Sequence, residues 1–410
     1  MRSSRDILIV CSLGLLALTS APATGAQEGR QGGGRGNPPA FSSPEVSADR
    51  RLTLRFLAPE AKSVSVNGEL DGRVHQLTKG DNGVWSVTIG PLPPDIYTYA
   101  FSVDGVTALD PRNPNIKYGY GRFGAVNIVQ VPGDGPAFYD VKPVPHGKVA
   151  IQPYVSKAMG LSRTVWIYTP PGYDRGKDYP VLYLLHGAGD IESGWTMIGR
   201  ANHIIDNAIA EGKAKPMLVV MPLGHAIQSF WAGPAKQAAD PVGAVMSAGA
   251  SLDDIITAMM AGDGKGGLSP VTRDIVEDVL PMIEREYKVS KRPEDRAIGG
   301  LSMGGGQTIN IAFSRPELFR YVVLMSPAAN ASVAKIYAKF MENPAGANNQ
   351  FKVLWIGVGK DDGLTGPGDR AFSETLTKHG IKHTFNVTDG RHEWTVWRQY
   401  LRDVAPLLFR

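Results

Sequence analysis

The chain has 410 residues, 43% of them hydrophobic and 20% charged, which is more than one typical domain needs and ample for a buried core. Its formal charge of +4 is small and its Lys and Arg residues form no blocks, which argues against a nucleic-acid partner. A lone cysteine, Cys11, excludes a disulfide framework and any cysteine cluster for metal.

The first residues have three parts: Arg2 and Arg5, an apolar run from Ile7 to Leu18, and small residues through Ala21-Pro22-Ala23-Thr24-Gly25-Ala26. That is the form of a secretory signal over residues 1–26, cut after Ala23 or Ala26, and the run is short for a membrane anchor. The expected product is periplasmic or secreted, with no membrane partner. Since Cys11 lies inside the signal, the mature chain would carry no thiol, which rules out cysteine catalysis. Residues 27–44 form a flexible linker, with Gln27 to Pro39 rich in Gly, Arg and Pro and almost nothing apolar to bury.

From Val46 onward the pattern changes to short alternating runs. Leu52, Leu54 and Phe56 are followed by Val64 and Val66, Val84 to Val87, Tyr97 to Phe101 and Val126 to Val129, with turn signals at Asn67-Gly68, Asp81-Asn82-Gly83 and Asp104-Gly105. This predicts a small all-β immunoglobulin-like sandwich over residues 45–132. The segments Phe56-Leu57-Ala58-Pro59, Asp81-Asn82-Gly83-Val84-Trp85, Pro91 to Tyr97, Val103-Asp104-Gly105 and Asp110-Pro111 resemble the early-set sandwich, similar to family 48 carbohydrate-binding modules. Trp85, Tyr97 and Tyr99 sit in strand patterns and are expected in the core. Tyr118, Tyr120 and Phe123, in a Gly-rich loop, are the better candidates for contact with a ligand or with the next domain.

Beyond a short linker at Gly133 to Ala137, strands alternate with helices, which predicts a mostly parallel α/β sheet over residues 137–410. The strands are Val165 to Tyr168, Val181 to Leu185, Met217 to Met221, Arg296 to Gly299, Tyr321 to Met325, Lys352 to Val358 and Lys382 to Val387. A helix over Val271 to Tyr287 should be kinked by Pro281, and a last amphipathic helix runs from Trp394 to Leu408. An insertion over residues 224–270, rich in Gly and Ala and carrying Phe230-Trp231, has the length of a lid or binding loop or of an idle insertion.

The chemistry centres on Gly300-Leu301-Ser302-Met303-Gly304, where an apolar run stops at Gly-x-Ser-x-Gly and a helical pattern begins. This is a nucleophile elbow: small residues flank a sharp strand-to-helix turn that exposes Ser302 and aims the Met303 amide at whatever the serine attacks. A serine needs a histidine base, and the histidine a carboxylate to hold its tautomer, in the chain order Ser, acid, His. Of the histidines after Ser302, His379 falls at a helix end and His383 in a strand pattern. His392 lies in a loop between the last strand and the last helix and is the candidate base. Two neighbouring carboxylates come soon after Gly359, Asp361 and Asp362, and Asp362 is preferred; Asp389 and Glu393 read as loop and helix-start charges. The second oxyanion donor is expected from Leu185-His186-Gly187-Ala188-Gly189, at Ala188 or Gly187, with His186 as a buried orienting residue. No histidine spacing resembles a zinc site, so neither metal nor cofactor is expected.

These motifs resemble the esterase D group of carbohydrate esterase family 1, on Thr169-Pro170-Pro171-Gly172-Tyr173, Tyr183 to Gly187, Gly300 to Gly305, Gly359 to Asp362, and Gly390-Arg391-His392-Glu393-Trp394 with Trp397. The resemblance covers about Pro143 to Arg410. It implies an α/β-hydrolase fold, a catalytic set of Ser302, Asp362 and His392, and hydrolysis of feruloyl or acetyl esters on plant-wall polysaccharide or its oligosaccharides. Trp195, Phe230 and Trp231 are candidate walls of an acyl pocket or simply packing residues. The rival readings are a siderophore-type small-ester hydrolase and a catalytically silent glycan-binding protein.

Overall fold

The computed structural model describes residues 40–410 apart from 121–123, 174–176, 230–247, 249–250, 252–253 and 255–266. The predicted signal, most of the 27–44 linker, Phe123, Phe230, Trp231 and most of the 224–270 insertion lie outside the described residues. No helix among the described residues is long and apolar enough to cross a membrane.

The N-terminal region is all-β. Its short strands are β1 (Glu45–Val46), β2 (Leu52–Leu57), β3 (Val64–Gly68), β4 (His75–Gln76), β5 (Thr78–Lys79), β6 (Val84–Ile89), β7 (Asp95–Val103), β8 (Val106–Ala108), β9 (Ile116–Lys117) and β10 (Val126–Val131). Among the described residues they form one sheet in the order β1-β2-β6-β5 and another in the order β4-β3-β7-β10-β9, with β8 beside β7. Alternation in β2 and β3 puts Leu52, Leu54, Val64 and Val66 inside, where they meet Trp85, Tyr97, Tyr99 and Phe101 in one buried cluster. The three aromatic residues expected in the core are therefore there: Trp85 is buried, with its indole N–H on the Ala58 carbonyl, and Tyr97 and Tyr99 are buried beside it.

The rest is one sheet with the strand order β11 (Lys148–Ser156), β12 (Leu161–Thr169), β14 (Leu218–Pro222), β13 (Val181–Leu185), β15 (Arg296–Leu301), β16 (Tyr321–Met325), β17 (Val353–Gly359) and β18 (Thr384–Thr388). Pairing is antiparallel from β11 to β12 and from β12 to β14, and parallel across the remainder. β13, β14, β15 and β16 are buried along their whole length, as strands covered on both faces must be, which is why they read as unbroken apolar runs. β11 has no counterpart among the expected strands. It is a mostly exposed edge strand in which Val149, Ile151 and Val155 face water, and Pro153 within the run, tolerated at a sheet edge, argues against a strand when only the sequence is read.

At Pro281, where a kink is expected, the helix changes its hydrogen-bonding. A π-helical turn at Ile275–Val279 sits directly before Leu280–Glu286, and the Leu280 N–H reaches back to the Ile275 carbonyl, so the wider turn absorbs the residue that cannot donate. The last helix is regular over Trp394–Val404 and ends in a 3-10 turn at Ala405–Leu407.

The all-β region and the α/β region share a buried core. Ile96 and Ile128 belong to the same cluster as Trp195, Trp394, Trp397 and Tyr400. Arg398, fully buried on the last helix, is paired with Asp95 of β7 at 2.5 Å and donates to the Ile96 and Ile198 carbonyls at 2.8 and 2.9 Å.

Candidate active site

The parallel strands deliver their C-terminal ends to one edge of the sheet, and the loops leaving β13, β15, β17 and β18 meet there. β15 ends at Leu301 and the helix Met303–Ser314 begins two residues later, so Ser302 alone makes the turn. Its backbone sits at φ 50° and ψ −118°, a strained conformation for a residue with a side chain, held by its N–H on the Met325 carbonyl at 2.9 Å. Both flanking glycines are required by close backbone approach. A Cβ on Gly300 would fall 2.4 Å from the Gly304 carbonyl, and one on Gly304 would fall 2.6 Å from the His186 carbonyl oxygen.

Ser302 Oγ lies 2.9 Å from His392 Nε2, and His392 Nδ1 lies 2.8 Å from Asp362 Oδ2. Three side chains from three loops thus form one continuous hydrogen-bonded line. Asp362 is buried; its Oδ1 accepts the Leu364 and Thr365 amides at 3.0 and 2.9 Å, and its Oδ2 also accepts the Thr365 hydroxyl at 3.0 Å. Burial by itself would raise this carboxyl, but the His392 hydrogen bond and charge, the Thr365 amide and the Ser326 hydroxyl outweigh it and hold the group well below the usual carboxylate range. Asp361 is exposed and its backbone N–H donates to the Gly390 carbonyl, whereas the Asp362 carboxylate meets His392, so geometry separates the two neighbours. Asp389 is an exposed partner of Lys360, and Glu393 is paired with Arg391.

Met303 opens its helix, so its N–H is one that the helix itself does not use. Gly187 lies beside the serine: a Cβ there would sit 3.6 Å from Ser302 Cβ and 2.6 Å from Leu301 Cδ1. His186 is buried and fixes this loop. The Gly224 N–H donates to its Nε2 at 2.8 Å, so the proton is on Nδ1, which donates to the Gly187 carbonyl at 2.8 Å. Burial, with the neighbouring His225, pushes His186 down to about 3, so it stays neutral. Because the Gly187-Ala188 peptide is planar and trans, tying its oxygen to His186 turns the Ala188 N–H the opposite way. Trp195 is a correction to the expected pocket wall. It is fully buried, its indole N–H donates to the Leu185 carbonyl at 3.0 Å, and it packs edge-on against Trp394 at 5.1 Å.

Several supporting residues carry no sequence signal. Lys117 of β9 is ion-paired with Asp190 at 2.5 Å and reaches the Gly189 carbonyl, so the all-β region pins the loop after β13. Glu69 accepts the Trp394 amide at 3.1 Å, and Arg391 donates to the Asp71 carbonyl at 2.8 Å, which braces the His392 loop from the same side. Tyr120 packs on His225 at 4.1 Å between ring centres, whereas Tyr118 is exposed. Arg163, fully buried on β12, gathers the Leu223, His225 and Ile227 carbonyls and so holds the loop that supplies the Gly224 amide. Thr365 has one faint cue: it directly precedes the Gly366-Pro367 start of a helix.

Residues 156–408 match the model of a family described as "Putative esterase". A protein named endo-1,4-beta-xylanase/feruloyl esterase, from Xylanibacter ruminicola, is 30% identical over 383 residues, covering 91% of this chain and 47% of that one. The chain therefore spans about half the length of that curated relative. Among solved structures, a carbohydrate esterase family 1 ferulic acid esterase from Anaeromyces mucronatus is similar with a TM-score of 0.52 at 22% identity, over 67% of this chain and 96% of that one. Enterochelin esterase from Shigella flexneri is similar with a TM-score of 0.63 at 16% identity, over 89% and 94%. At these identities the structural likenesses speak to the α/β-hydrolase fold.

Proposed function

The chain belongs to the esterase family, and from that premise we propose that it is an exported serine ester hydrolase that removes feruloyl or acetyl groups from plant-wall polysaccharide or its oligosaccharides. The observation that carries this reading is the unbroken line Ser302 Oγ, His392 Nε2, His392 Nδ1, Asp362 Oδ2. With Asp362 ionised and accepting from Nδ1–H, the Nε2 lone pair faces the serine hydroxyl and takes its proton as Oγ attacks the ester carbonyl. The oxyanion that forms is met by the Met303 amide and by Ala188, whose peptide His186 orients, with Gly187 leaving the space open; one such donor contributes roughly 10²- to 10³-fold. His392 then returns the proton to the leaving sugar hydroxyl, and water, activated by the same imidazole, hydrolyses the acyl-enzyme.

Support for a feruloyl substrate comes from the Xylanibacter ruminicola relative, whose match extends over both the all-β region and the α/β region. Export rests on the basic, apolar and small-residue parts of residues 1–26. The test compares turnover of methyl ferulate, acetylated xylan and a catecholate siderophore ester by wild type and Ser302→Ala, with fluorophosphonate labelling of both. Expected are labelling of the wild type at Ser302, preference for the ferulate ester, and a loss of at least about 10⁴-fold in the variant. Preference for the catecholate ester moves the substrate class to siderophores. An unlabelled and inactive wild type leaves a glycan-binding protein.

A further inference from the structure

We propose that His146, His203 and Asp206 form a binding site for one divalent transition-metal ion, with Zn²⁺ as the first expectation. His146 lies in the segment between the all-β region and β11, and the other two lie one turn apart on the helix Ala201–Ala210. One ligand atom from each falls within 4.8 Å of the others. Two imidazoles and a carboxylate suit zinc, cobalt or nickel and do not suit calcium or magnesium, which take oxygen donors.

The outer partners of these side chains are arranged as around metal ligands. Metal-binding side chains usually have their second polar atom engaged elsewhere, which fixes tautomer and orientation. His146 Nε2 lies 3.0 Å from the Lys142 carbonyl, which keeps the ring proton on that nitrogen, while Nδ1 faces Asp206 Oδ2 across 2.9 Å, a gap that a proton or a metal ion can bridge. Asp206 is buried, and its Oδ1 is already taken by the Gly147 amide at 2.9 Å and the Tyr168 hydroxyl at 2.7 Å, leaving Oδ2, which faces His146 Nδ1, as the ligand oxygen.

His203 completes the set. Its Nδ1 is buried and finds no hydrogen-bond partner among the described residues, and the same holds for Asn202 Oδ1. The Asn202 amide touches His203 Nε2 at 3.3 Å through its nitrogen; turning that amide over puts Oδ1 on Nε2–H and leaves the Nδ1 lone pair for the ion. With the amide turned, Asn202 Oδ1 accepts from Nε2–H and the ion takes the otherwise unpartnered Nδ1. His146 is part-exposed, so a water molecule can fill the fourth position of a tetrahedral site. The ion would tie the inter-region segment to the helix behind the site loops. Spacing rules miss this arrangement because its first histidine is far from the other ligands in sequence.

The test uses the full-length, tag-free protein after chelation and dialysis. Zn²⁺ is titrated by calorimetry, and Co²⁺ by the visible absorption of a four-coordinate ion. Expected are one tight equivalent, a raised melting temperature with Zn²⁺, and imidazole-type Co²⁺ bands. His203→Ala and, on the more exposed side, His146→Ala should each weaken binding at least about tenfold, since even an outer partner of a ligand is typically worth 10- to 100-fold. Fluorophosphonate labelling of Ser302 serves as the check that each variant is folded. Absence of binding by the wild type, or unchanged binding in folded His203→Ala and His146→Ala, overturns the assignment.

Discussion

Replacing Asp362 by Asn tests the ranking of the two neighbouring aspartates. Two backbone amides, from Leu364 and Thr365, point at Asp362 Oδ1. In the variant they require an acceptor, so the amide oxygen must occupy that position and the NH₂ group must face His392 Nδ1. The imidazole then accepts at Nδ1 and carries its proton on Nε2, where it confronts the Ser302 hydroxyl as a donor and cannot act as a base. Loss of the correct tautomer in such a triad lowers kcat by about 10⁴, or about 5.5 kcal/mol of transition-state stabilisation. Asp361→Asn changes an exposed side chain and should stay within a few-fold of wild type. The assay is kcat on methyl ferulate or p-nitrophenyl acetate for both variants at neutral pH. Retention of activity within tenfold by Asp362→Asn, or a larger loss in Asp361→Asn, would refute this ranking.

Two further outcomes test the scaffold. Asp95→Ala leaves the fully buried Arg398 without its carboxylate, and breaking a buried pair on one side typically costs about 3–5 kcal/mol, so urea unfolding should show a loss of that order; a loss under about 1 kcal/mol would mean the two regions are held by other contacts. Burial pushes the Asp369 carboxyl up to about 8, from an ordinary 3.8, while the Ala329 amide at 2.9 Å opposes the shift. Between those values the folded protein holds a proton that the unfolded chain has released, so this group favours folding most at low pH and its contribution is lost as pH rises toward 8. Asp369→Asn should therefore flatten the fall in melting temperature between about pH 5 and pH 8, and an unchanged slope would sink that account.

Trp195 shows where sequence reading stops short. An aromatic residue beyond the loop after β13 looks equally suited to a pocket wall and to a core, because its sequence neighbours do not reveal what packs over it. Trp394, far along the chain, packs edge-on against it, and Trp195 is fully buried in the shared core. The edge strand β11 is hidden for a different reason: Pro153 interrupts its apolar run, and only its pairing with β12 at the sheet edge shows that the proline is tolerated there.

By itself, the sequence determined the elbow around Ser302, the buried parallel strands that carry it, and the place of His392 between the last strand and the last helix. Those features arise from local sterics and hydrophobic period, which act over a few residues. Only the tertiary structure separated Asp362 from Asp361, set the tautomer of His186, and brought Lys117, Glu69 and Asp95 of the all-β region against the loops and helix that hold the site. Those decisions depend on which amides and charges from distant segments converge on a side chain once water is excluded, and no pattern of neighbours along the chain encodes that.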